Sequence, residues 1–212
     1  MPNTTNYSFP TPADTDLVKN GADAICDLGD AVDTAMNTAL GTKKAGMVLL
    51  NTTSFTAVAS QAINNVFSST YKNYFVTVSN IVVDSASDRE LQMRLRVGGV
   101  DNSTASSYQS QSIFSYAASA GGEYLAQAQN FLINGNNVTP INGEMTLINP
   151  FTTGTTGLFS DFLSYRAGLS GGSYNTYKKS GLHNQSVSYD GFNLILASGT
   201  MTGKVSVYGY NE

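Results

Sequence analysis

Glu90-Leu91-Gln92-Met93-Arg94-Leu95-Arg96-Val97-Gly98-Gly99 alternates apolar and polar residues without a fault and stops at two glycines. A period of two puts Leu91, Met93, Leu95 and Val97 on one face of a strand and Gln92, Arg94 and Arg96 on the other. A strand that is apolar on one side needs a second layer to bury that side against. Shorter runs of similar character flank it. Upstream they cover residues 47–51, 57–67 and 71–83, the last rich in the β-branched and aromatic residues of a central strand. Downstream, residues 108–118 and 123–133 read as a hairpin across Gly121-Gly122. Further strands follow at 144–149, 158–167, 174–178, 185–189, 193–197 and 204–210, with turns at 134–137 and 198–203. About ten short strands, with no helix after residue 44, predict a mainly β body: a β-sandwich, with a jelly-roll arrangement favoured over a barrel. No repeat of fixed period supports a solenoid.

Residues 11–40 differ. Thr11-Pro12-Ala13-Asp14 is a helix start signal. Val18, Ile25, Val32 and Ala39 then recur every seven residues, with Gly21, Leu28 and Ala35 three places after the first three. That is an a/d seam over three heptads, and it predicts self-association of the helix. The alternative is a helix packed on its own β-body, which ordinarily presents a wider apolar face. Gly21 and Gly29 each cost about 1 kcal/mol of helix propensity, so the helix is marginal alone. The chain thus divides into an extended arm (1–10, with Tyr7, Phe9 and Pro10 as anchors), a heptad segment (11–40), a linker (41–46) and the body (47–212).

The formal net charge of −4 splits into −5 over residues 1–40 and +1 over the remainder. The six Asp of the first part repel one another on association, so the body is expected to supply most of any interface. A near-neutral body offers no electrostatic case for nucleic acid. No apolar run is long enough to span a membrane, and the N-terminus lacks the charged and apolar regions of a signal peptide. A single cysteine, Cys26, excludes an intrachain disulfide.

The residues for chemistry are few. His183, the only histidine, sits between Gly181 and Asn184 and reads as an exposed turn residue. No serine carries a nucleophile-elbow pattern, and one His with one Cys cannot make a zinc site. No metal or cofactor is expected. Asp84, Asp88, Glu123, Glu144, Asp161 and Asp190 are the carboxylates from which a glycosidase pair could be drawn, and their spacing in the chain does not pair them. Binding is the stronger expectation. Tyr108, Tyr116, Tyr165, Tyr174 and Tyr177 lie in or beside Gly/Ser/Asn-rich stretches, and residues 100–116 and 168–184 read as the binding loops. Tyrosine supplies a flat apolar face with a polar tip, suited to stacking on sugar rings. The other use of such tyrosines is to fill the sandwich or a subunit interface.

The run Tyr7-Ser8-Phe9-Pro10, continued by Thr11 to Ile25 and by Leu28-Gly29-Asp30-Ala31-Val32-Asp33, resembles the N-terminal segment of tail-fibre and minor tail proteins of tailed bacteriophages. Residues 73–78, 90–101 and 203–211 resemble the β-sandwich of phage fibres and adhesins. The resemblance implies a non-enzymatic virion protein, a homotrimer assembled in the host cytoplasm. Its N-terminus would dock on another virion protein, and its body would contact a host surface glycan or protein. Head-decoration proteins with N-terminal arms fit the same pattern without a receptor role, and some phage sandwiches depolymerise glycans.

Overall fold

The computed structural model describes residues 4–5, 7–11, 17, 20–40, 46–84, 90–116, 119–134, 140–166 and 173–210. Two compact units result, Met1–Gly46 and Met47–Tyr210.

In the first unit one helix, α1, spans Gly21–Leu40, with Asp23 in its first turn. Ala24 is buried, and Gly21, Leu28, Ala31, Val32 and Ala35 are half-covered along one side. Of the seam, Ile25 stands 68% exposed; Met36, off the seam, is 55% exposed. Ala39 is also exposed; Val18, residues 12–14 of the start signal and residues 41–45 of the linker lie outside the described residues. The arm is not extended where it is described. Thr4 and Phe9 close a turn through Thr4 N–H to Phe9 O (2.9 Å) and Phe9 N–H to Thr4 Oγ1 (3.0 Å). Within it the Tyr7 and Phe9 rings stack at 5.6 Å.

The second unit is all β: β1 (Met47–Val58), β2 (Ser60–Ile63), β3 (Asn73–Val83), β4 (Leu91–Val97), β5 (Val100–Asp101), β6 (Tyr108–Tyr116), β7 (Ser119–Ala128), β8 (Phe131–Asn134), β9 (Ile141–Ile148), β10 (Thr156–Arg166), β11 (Ser173–His183), β12 (Gly191–Leu196) and β13 (Met201–Tyr210). An eight-stranded sheet runs β1-β13-β3-β9-β10-β11-β6-β7. A second sheet runs β2-β12-β4-β5, with β8 also paired to β4. All named strand pairs are antiparallel.

Eight of these strands make a jelly roll. The large sheet takes β1, β3, β9 and β13, and the small sheet takes β2, β4, β8 and β12; β13 lies between β1 and β3, and β12 between β2 and β4. That double Greek key matches the expected sandwich. Two insertions extend it. The β10–β11 hairpin enters between β9 and β12, and β5 to β7 enter between β4 and β8, so β10, β11, β6 and β7 prolong one edge of the large sheet.

The core follows from the alternation. Leu91, Met93 and Leu95 are fully buried against Tyr74, Val76, Val205 and Val207 of the other sheet's strands in one cluster. Val97, expected inward, is 43% exposed because it already belongs to the turn. Gly98 and Gly99 follow with φ of 58° and 80°, which joins Val97 to Val100 in a two-residue hairpin.

Three other expectations change. Gly121-Gly122 do not turn the β6–β7 hairpin: both are strand residues, opposite Phe114 and Ile113, and the ladder runs on to Tyr116 and Ser119. Phe114 lies across Gly121 so closely that a Cβ there would meet its ring at 2.7 Å; the glycine marks a covered spot, not a turn. Residues 185–189 form no ladder strand, only a single parallel bridge from Ser186 to Gly154. Residues 173–183 are one strand, where only 174–178 were expected.

The inserted strands turn a polar row inward. Ser112, Thr156, Ser160, Ser164, Asn175 and Lys179 are buried. The side-chain oxygens of the first five have no hydrogen-bond partner among the described residues. A dry unpaired hydroxyl costs about 1–3 kcal/mol. Ser164→Ala is therefore expected to raise stability by about 1 kcal/mol, read as a rise of about 2–4 °C in Tm. A fall of similar size would mean that the hydroxyl is satisfied.

Candidate functional site

Along β10 the side chains alternate: Leu158, Ser160, Phe162 and Ser164 are buried, while Phe159, Leu163 and Tyr165 are exposed at 56%, 44% and 37%. The outward set belongs to the open face of the large sheet. Register then brings side chains from four strands into one row, Phe159 opposite Ser180, Ser180 opposite Gln111 and Gln111 opposite Tyr124. The next row joins Glu144, Asp161, Lys178 and Ile113. Ile113 and Tyr124 are 71% and 65% exposed. Lys178 Nζ donates to Asp161 Oδ2 in an ion pair across β10 and β11.

Three hollows adjoin on this face. One of about 740 Å³ is lined by Gln111, Ile113, Tyr124, Phe159 and Lys178. A second of about 590 Å³ lies among Gln109, Tyr124, Ile148, Phe159 and Leu182. The third, about 290 Å³, is bounded by Glu144, Thr146, Phe159, Asp161 and Lys178. Phe159 lines all three. The result is an open groove with aromatic platforms, amides and a lysine–carboxylate pair, the inventory that grips an extended polar chain with apolar ring faces.

The tyrosines divide. Tyr165 and Tyr174 are cross-strand partners with ring centroids 5.5 Å apart, and Tyr174 is 66% exposed. Tyr165 shares the outward side of β10 with Phe159, six residues or roughly 20 Å along the strand. Tyr108 and Tyr177 are corrected: both are buried, at 0% and 8% exposure, and cannot meet a surface ligand. Tyr116 ends β6, and its side chain lies outside the described residues. Sequence reading missed Phe159 and Tyr124. Their signal is apolar residues at the outward phase of alternating strands, visible only once the strand bounds are known. Of the two expected binding loops, 100–116 holds β5 and β6, and 168–184 holds β11; residues 167–172 lie outside the described residues.

His183 is corrected as well. It ends β11 fully buried, its Nε2 2.6 Å from the Tyr189 hydroxyl and its ring 4.0 Å from that of Tyr108. Tyr189 in turn accepts from Asn102 Nδ2 at 2.7 Å, and Tyr108 donates to Asn102 O at 2.8 Å. Among the described residues Nδ1 of His183 makes no hydrogen bond of good geometry. Burial pushes the imidazole down to about 4, offset only in part by the Ser107 backbone, and pushes the Tyr189 phenol up to about 12. This cluster is a lock between β11, β6 and the 102–107 turn.

The carboxylates also sort. Asp84 caps Thr200, accepting from its N–H (2.9 Å) and hydroxyl (2.8 Å). Asp190 accepts from Gly98 N–H at 2.8 Å. Glu123 lies 3.7 Å from the buried Lys179, whose pKa burial lowers. Glu144 and Asp161 are direct cross-strand neighbours, a pairing their spacing in the chain does not reveal. Asp88 lies outside the described residues. Arg96 binds Asp101 at 2.8 Å and Arg94 donates to Gln129 O at 3.2 Å, so each has a local partner. Among the described residues no group of three or more His, Cys, Asp or Glu converges to hold a metal, and no helix is long and apolar enough to cross a membrane.

The fold and face define a mainly β protein, a jelly-roll sandwich with an extended, grooved sheet. No protein-family model, curated protein or solved structure matches the chain.

Proposed function

We propose that this chain is a bacteriophage virion protein of the tail-fibre or receptor-binding kind. In this reading it self-associates as a homotrimer through its helical segment and body, docks on another virion protein through Tyr7, Phe9 and Pro10, and binds a host surface glycan on the body. The observation that carries the binding role is the open groove centred on Phe159, with Tyr124 and Ile113 beside the Lys178–Asp161 pair. Exposed apolar side chains set among amides and paired charges on a sheet face are costly unless something covers them. The heptad seam of α1, with Ile25 and Ala39 exposed, and the N-terminal resemblance support the virion reading.

The test is binding of the full chain to host cells and to a glycan array. Phe159→Ala and Tyr124→Ala are each expected to weaken binding by about 5- to 150-fold, since stacking contacts of this kind are worth about 1–3 kcal/mol. Both side chains are more than half exposed, so the thermal midpoint is expected to move by less than 2 °C. Undiminished binding by the double variant would remove the groove from the account. No binding to any host surface would favour a decoration protein. The Glu144–Asp161 pair supports a second reading, glycan cleavage, because directly opposed residues hold their Cβ atoms about 5 Å apart. That reading requires release of reducing ends, abolished by Glu144→Gln.

A further inference from the structure

The other end of the large sheet carries a different surface. On the open face of β1, β13 and β3, Leu49 stands opposite Tyr208 and Tyr208 opposite Phe75, while Met47 stands opposite Tyr210. Met47 and Leu49 are 46% and 55% exposed. Phe75 packs on Tyr208 and Tyr210, with ring centroids 6.2 and 6.4 Å away. No charged residue lies in these two rows of β1, β13 and β3. The patch thus differs from the groove, where Lys178, Asp161 and Glu144 sit among the apolar side chains.

We infer that this Met47/Leu49/Phe75/Tyr208/Tyr210 patch is the surface through which the bodies of neighbouring copies of this chain meet. The inference rests on the proposed self-association and names the face that makes it.

Three observations select a second copy as the occupant. Met47 follows Leu40 by only seven residues, and the seam of that helical segment, in which Ile25 and Ala39 are exposed, repeats at heptad spacing. Heptad stripes are covered by like helices, and a rotationally symmetric association presents the same surface of every copy around one axis. An uncharged aromatic patch beginning at Met47 then meets its own equivalents, with no like charges to separate them. Addition strand to strand is disfavoured, because edge strand β1 carries register shifts between Leu49 and Asn51 and between Phe55 and Val58. Contact through the face remains. Five side chains fall short of the roughly 800 Å² per partner of a stable interface. Patch and helix stripe therefore act together, and losing either dissociates the assembly.

The test uses the full chain in two forms. Light scattering is expected to give an oligomer for the native chain and the mass of one chain for Leu49→Lys/Tyr208→Lys. As a gentler probe, Leu49→Cys in a Cys26→Ser background is expected to form a covalent dimer on oxidation. Val100→Cys, 68% exposed on the smaller sheet, is expected to stay uncrosslinked. An oligomeric native chain whose mass survives the lysine pair, with no cross-link at position 49, overturns this interface and leaves self-association standing. A monomeric native chain overturns both. Host binding by the groove, measured separately, is unaffected by either outcome.

Discussion

Replacing Gly191 with alanine is expected to cost at least about 3 kcal/mol, because its Cβ would stand 2.2 Å from the backbone oxygen of Ile63 and 3.1 Å from Asn64 Cα. The obstacle is main chain and cannot swing aside. Gly191 opens β12, which is held between β2 and β4 with Phe192 opposite both Ile63 and Leu95. Any shift that relieved the contact would pull Phe192, Leu194 and Leu196 out of register with the core. The expected readout is a thermal midpoint lower by about 6–12 °C, or failure to fold. Gly154→Ala, where no atom lies within 4 Å of the added carbon, is the control and is expected to change little. A loss of less than 1 kcal/mol at Gly191 would mean that the β2–β12 spacing is looser than described.

Acid is expected to weaken the body through His183. Its imidazole is held near 4 in the folded chain by burial, against about 6.5 when unfolded. Between those values the unfolded chain binds the proton and the folded chain does not, so stability rises with pH across this window. The contribution is complete above about 6.5 and is lost as the pH falls towards 4, with a total on the order of 3 kcal/mol. Urea melts at pH 7.0 and 4.5 measure it. His183→Gln keeps a polar group facing Tyr189 and removes the titration, so its stability is expected to change less between the two pH values. Equal pH dependence in both proteins would place the acid sensitivity on the carboxylates instead. For an attachment protein, the lock of His183, Tyr189, Asn102 and Tyr108 would be the part of the body that an acidic surrounding loosens first.

How much of this the chain discloses varies by element. Residues 91–96 were legible because alternation and burial coincide there: one face packs on the opposite sheet, and the two glycines after Val97 close the hairpin. The long β11 was obscure because its inward residues include Asn175, Lys179, Gly181 and His183, polar or without a side chain, so alternation of hydropathy fails while alternation of burial holds. The same mismatch made His183 look like a turn residue. Glycines misled for a related reason: Gly121 marks a place where the Phe114 ring presses on a strand. The tyrosines could not be sorted by composition, since Tyr108 and Tyr174 occupy similar Gly/Ser/Asn-rich surroundings, one in the core and one on the surface. Phase within a strand decides between them, and phase depends on where the strand begins.

The place of β13 has a consequence for how the body is made. It lies between β1 and β3, so β1 has no other partner in its sheet and β3 keeps one open side until β13 arrives. About 160 residues of chain separate Leu49 from Tyr208, a contact that cannot form early in synthesis. Such topologies fold slowly, because the entropy of closing the chain is spent before the long-range ladder repays it. During that interval β1 and β3 both present unpaired edges beside exposed apolar side chains, the condition under which nascent β proteins associate wrongly. A body built this way closes as one event, when β13 inserts.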